Sequence, residues 1–186
     1  MNVYLVMLFL HFVSLILAFF ATGLVVGASV MLRRSERIAD ARFAIGLSGG
    51  AAKLHPVSTL GLFLTGAYLT QSGWTWTTPW ILCGICGLLI VAVVGVGVLG
   101  SRERALDQTL RDMPEGPIPP AVRERLNDPV SNVAGPAISF FVLGIMFIMV
   151  IKPALPVALL SLAVAAILGM FVGYMTQPRR AVRSTA

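Results

Sequence analysis

Charge is what this sequence most lacks. No charged residue occurs between Met1 and Leu32, and none between Pro56 and Gly100. Charged residues make up 12% of the chain and apolar ones 57%, where soluble domains carry about 25% charged residues. A water-soluble fold of this size has no polar surface to spare for such stretches. An uncharged apolar run beyond about 18 residues reads as a membrane span, because roughly 20 helical residues cross a hydrocarbon core of about 30 Å. Backbone groups in lipid must be satisfied internally, which leaves helices or a closed barrel. The runs do not alternate polar with apolar, so a barrel is excluded and helices are expected.

Acidic residues are also confined. All of Glu36, Asp40, Glu103, Asp107, Asp112, Glu115, Glu124 and Asp128 lie between the apolar runs, none within them. That argues against a proton-coupled pump or an intramembrane cation site. There is no phosphate-binding glycine loop, no H-E-x-x-H and no nucleophile–base pair at a useful spacing, so no motif names a reaction and a non-enzymatic role is expected. The first apolar run lacks a basic n-region and exceeds the 7–15 residues of a signal-peptide core; it reads as a retained helix. The net charge of +6 does not point to nucleic acid, because the arginines cluster beside apolar runs, where they set orientation.

What is present is an all-α, polytopic transmembrane bundle of five spans: four core helices at about 4–32, 51–69, 79–100 and 133–151, and a fifth at 155–174, forming one membrane domain over 1–186. The second is the weakest, since Lys53 and His55 fall in its first turns, and its helix is expected to start earlier, near Ser35. Lys152-Pro153-Ala154-Leu155-Pro156 divides the last apolar tract, because proline ends one helix and suits the start of the next. Five spans with the N-terminus outside and the C-terminus cytoplasmic put every Lys and Arg except Lys152 on the cytoplasmic side, as the positive-inside rule requires. Trp74, Trp76 and Trp80 then form an aromatic belt at the outer interface. The cytoplasmic loop 101–132 divides into a charged helix to Met113, a proline-rich break, and a short helix over Ala121–Asn127.

Candidate sites are few. His11 is the one ionisable group in the first span before Arg33 other than Tyr4, about 33 Å above Arg33 at 1.5 Å per residue. His55 lies near the opposite end of the second span, so a shared haem between the two histidines, although imidazoles are haem ligands, meets a mismatch of depth. Cys83 and Cys86 form a C-x-x-C on the third span, a spacing used by redox and soft-metal sites and equally by small packing residues. His11 with Cys83 and Cys86 lies toward the outer side and offers a donor set for copper. Gly23/Gly27 and Gly169/Gly173 are G-x-x-x-G pairs that let helices approach closely, within the chain, in a homo-oligomer, or against a membrane-protein partner.

Leu10-His11, Arg33-Arg34-Ser35-Glu36-Arg37, Pro56, Leu64-Thr65-Gly66-Ala67-Tyr68-Leu69, Gly73-Trp74, Trp80 and Ile151-Lys152-Pro153 form a pattern over Met1–Pro153. It resembles that of uncharacterised bacterial predicted integral membrane proteins, a domain-of-unknown-function family related to the copper-resistance-D-like four-helix group. The resemblance implies a four-helix core with the fifth span as an addition. Through the wider group it implies copper handling or haem-dependent chemistry, with His11 at the matching position.

Overall fold

The computed structural model describes residues 2–177; Arg179, Arg180 and Arg183, part of the basic set used to orient the chain, lie outside them. Helix α1 (Val3–Arg34) opens on Asn2, whose side chain accepts the backbone N–H of Tyr4, and closes where Ser35 turns extended. Helix α2 (Ile38–Ala52) and α3 (Leu54–Gly73) form a nearly continuous rod, interrupted at Lys53. Pro56 explains the break, because its ring has no N–H to offer Ala52 and crowds that carbonyl. The helix therefore begins before the expected second span, as the lead-in from Ser35 anticipated.

Pro79 occupies the first turn of α4 (Pro79–Ala92), which runs through a π-helical stretch, Val93–Leu99, into α5 (Gly100–Arg111). Arg104 donates to the carbonyls of Gly100 and Val96 and so ties down the end of that wider helix. Helix α6 (Pro120–Leu126) is short. Asp128 caps α7 (Pro129–Ile151) by accepting the N–H groups of Val130 and Ser131. Lys152 ends α7 in the left-handed region, at φ 55°. Pro153 prevents continuation, and α8 (Leu155–Met175) returns alongside.

α1 lies antiparallel to α2 and α3, and α7 lies antiparallel to both α4 and α8. The second group is sewn together by small residues. A methyl on Gly84 would meet Met149, and one on Gly87 would meet Ile145. One on Gly169 would fall 2.5 Å from the Pro136 carbonyl, and one on Gly173 would fall 2.7 Å from that of Asn132. Gly169/Gly173 is thus consumed by the α7–α8 seam, which leaves it no room for a second copy. Gly23 and Gly27 meet nothing.

The two groups join at both ends. At one end, the Trp end, the Lys152 ammonium lies 4.6 Å from the Trp74 ring centre and 5.9 Å from that of Trp80, and the two rings stand edge to face. At the other, the Arg end, Ile38, Ala41, Ile45, Leu110, Val122 and Leu126 form a small apolar core. There Arg42 donates to the carbonyls of Leu110 and Arg111 at the end of α5 and of Met113 just beyond it, and pairs with Glu115. Backbone bonds from Ile38 to Gly116 and from Ile118 to Glu36 dock the 113–119 segment onto the α1–α2 corner. The 101–132 segment is therefore built into the fold.

α1, the rod from Pro79 to Arg111, the segment Pro120–Ile151 that holds α7, and α8 are long and apolar enough to cross a membrane. α3 is long enough but less apolar. Its Ser58, Thr65 and Thr70 side chains are buried, so its polarity is turned inward.

Candidate functional site

The spans hold hydroxyl groups, and most of these are tied to their own helix. Ser14, Thr22, Ser29, Ser72, Ser139 and Ser161 each donate to the carbonyl four residues back, the usual way a hydroxyl satisfies itself inside an apolar helix. Thr65 differs. Its hydroxyl donates to the Gly61 carbonyl at 2.6 Å and also lies 2.9 Å from His11 Nδ1, across the α1–α3 interface.

A threonine hydroxyl has one hydrogen. With that hydrogen committed to Gly61, the hydroxyl is an acceptor for His11, which favours the tautomer with the proton on Nδ1. Gly66 allows the approach: a methyl there would lie 3.4 Å from His11 Cε1. One turn further along, a methyl on Gly61 would fall 2.3 Å from the Ser14 hydroxyl oxygen. The pairings His11 with Thr65 and Ser14 with Gly61 fix the antiparallel register. Ser58, Gly61 and Thr65 therefore make one small, polar stripe on α3. Thr65 was not singled out from the sequence, although the i, i+3, i+7 spacing of this stripe on an otherwise apolar helix is a legible signal.

The structure separates the other candidates. His55 lies ten residues before Thr65 on the same rod, about 15 Å away along the axis, so the two histidines do not share a level. Cys83 is buried against Ile148, Ala158 and Leu162 of α7 and α8, whereas His11 faces α3. Cys86 is exposed. Residues three apart on a helix diverge by about 60°, enough to put one cysteine in the seam and the other on its rim. Among the described residues, no three His, Cys, Asp or Glu side chains converge as a metal-ligand set.

A second polar bridge closes the Arg end. Arg33 donates from Nη1 to Asn132 Oδ1 at 2.9 Å and from Nε to the Ser29 carbonyl. It thereby joins α1 to the start of α7. Asn132 is buried, and among the described residues its amide nitrogen has no partner.

No curated protein and no solved structure matches this chain. The family described as predicted integral membrane protein (DUF2269) matches residues 5–153, the stretch that runs from α1 to the α7–α8 turn. That covers most of the 186 residues, and it includes His11, Thr65, Arg33 and Asn132. The protein is an integral membrane protein that belongs to this family.

Proposed function

We propose that this protein crosses the cell membrane five times, with α8 as an addition to a four-helix core, and that it acts there as a non-enzymatic packing or accessory component. The observation that carries this reading is the His11–Thr65–Gly61 clamp, where the one histidine of α1 is spent on holding α3. The Arg33–Asn132 bridge does the same for α1 and α7. The N-terminus is placed outside and the C-terminus in the cytoplasm, supported by nine arginines gathered at one end of the described chain while Lys152 sits with the tryptophans at the other. The lipid bilayer is its first partner. A homo-oligomer or a second membrane protein would use Gly23/Gly27, which are open, in preference to Gly169/Gly173, which are not.

One observation favours a second reading, a membrane redox protein of the kind linked to the copper-resistance-D-like group. Metal-ligating histidines usually donate their other ring N–H to an oxygen that fixes the tautomer, and the Thr65 hydroxyl stands 2.9 Å from His11 Nδ1, where it can serve as that oxygen. One imidazole suffices as an axial ligand for haem, which would supply electron transfer or oxidative chemistry. Copper fits less well, since Cys83 and Cys86 are turned elsewhere.

The test is the visible spectrum and metal content of protein purified after growth with added haem and copper. The packing reading expects neither in stoichiometric amount, and expects His11→Ala to lower the thermal midpoint alone. A stoichiometric haem lost in His11→Ala but kept in Cys83→Ser/Cys86→Ser would replace the first reading with the second.

A further inference from the structure

At the Arg end a cavity of about 390 Å³ opens between the last turn of α1 and the first turns of α2, lined by Met31, Arg34, Ser35, Asp40 and Phe43. Its depth follows from the neighbouring residue. Arg33 is bonded to Asn132, which directly precedes the uncharged stretch 133–151 that ends at Lys152. That stretch is about 28 Å long as a helix, the thickness of a hydrocarbon core. Arg34 therefore stands at the boundary where headgroups begin. Met31 and Phe43, 46% and 65% exposed, are apolar side chains with no protein cover at that boundary.

Several charges at this end of the molecule are already engaged. Arg42, Arg102 and Arg111 are paired with Glu115, Asp128 and Asp107. Arg104 and Arg123 donate to carbonyls, and Arg125 donates to Thr109. Among the described residues, Arg34 and Asp40 form no ion pair, with each other or with any other group. A guanidinium and a carboxylate thus face one opening, held apart, above apolar walls.

We propose that this cavity binds the headgroup of a zwitterionic aminophospholipid. Arg34 takes the phosphate, for which a planar guanidinium is well suited. Asp40 takes the ammonium, which brings hydrogen-bond donors to a carboxylate that only accepts. Met31 and Phe43 cover the first acyl carbons. A purely anionic headgroup would satisfy Arg34 but set a negative charge against Asp40. A choline headgroup has no N–H to give Asp40.

The full chain, released from micelles holding equal amounts of phosphatidylethanolamine, phosphatidylglycerol and phosphatidylcholine, is examined by native mass spectrometry. Phosphatidylethanolamine adducts should exceed each of the others about threefold, the scale of one exposed charge pair. Asp40→Asn should abolish that preference and raise the share of phosphatidylglycerol. Arg34→Gln should lose adducts of all three, and Arg34→Lys should keep most of them. Equal retention of the three lipids overturns the proposal, as does a preference for phosphatidylglycerol in the unmodified protein or a preference that survives Asp40→Asn. Should Arg34→Gln fail to fold, the exposed Asp40 position carries the test alone.

Discussion

A single hydroxyl decides how His11 sits. Thr65→Val keeps the shape of the side chain but removes both the bond to Gly61 and the acceptor for His11 Nδ1. Interhelical hydrogen bonds in membranes are worth about 0.6 kcal/mol on average and up to about 1.7, so Thr65→Val should destabilise within that range, read from unfolding in mixed micelles, while Thr65→Ser should be close to neutral. No loss in Thr65→Val would mean that the clamp contributes nothing. Asp128 offers a second test at this scale. Burial alone would raise its pKa, but the Ser131 hydroxyl, Arg102 and the N–H groups of Ser131 and Val130 outweigh that and hold it below the ordinary value. A carboxyl depressed in the folded state contributes stability above its unfolded pKa, about 3.9, and that contribution is lost as the pH falls through the folded value. The Tm of the protein should therefore drop on acidification below about pH 4. Asp128→Asn, which can still cap α7, should show a smaller drop over the same range.

Between elements, the two G-x-x-x-G pairs look alike in sequence and differ in the fold. A methyl on Gly169 or Gly173 runs into backbone atoms of α7, and backbone has no rotamer to escape by. Gly169→Ala should cost about 1–3 kcal/mol, as overpacking does, whereas Gly23→Ala should stay within about 0.5 kcal/mol; chemical unfolding of the two variants makes the comparison. Equal costs would refute the distinction. This pair also marks what the sequence makes legible. Charge-free runs and prolines locate the helices closely, since length and hydropathy depend on each segment alone; Lys152 with Pro153 at the α7–α8 turn is an example. Which glycine faces a neighbour depends on rotation about the helix axis, and an almost wholly apolar helix carries little polar marking to set it. For the same reason His11 is visible as a candidate while the direction in which α1 presents it is not. α3 is the exception, because Ser58, Gly61 and Thr65 mark its inner face. The docked 113–119 segment was legible only as a break in the helix, since Gly116 and Ile118 engage α1–α2 through backbone groups that any residue provides.

For the molecule as a whole, the five-span count rests on α3. It falls below the apolarity of the other four helices, yet its register with α1 is fixed by His11 and Ser14, and it ends at Trp74, beside the Lys152 turn. If α3 crosses, the chain between Gly73 and Pro79 and the turn at Lys152 share one side, and α5 and α6 lie on the other. If α3 does not cross, the rod from Pro79 still separates Ser72 from Gln108, but the two residues exchange sides. Both residues are exposed, so single cysteines can be placed there after Cys83 and Cys86 are replaced by alanine and serine. A membrane-impermeant thiol reagent should label Ser72→Cys in intact cells and Gln108→Cys only after permeabilisation. Labelling of Gln108→Cys alone would remove α3 from the span count or invert the molecule, and labelling of both sites in intact cells would overturn the crossing of the rod from Pro79 that lies between them. The charge distribution favours the first outcome, because it is the arrangement that leaves Lys152, held against two tryptophan rings, as the lone basic residue of the described chain on the outer side.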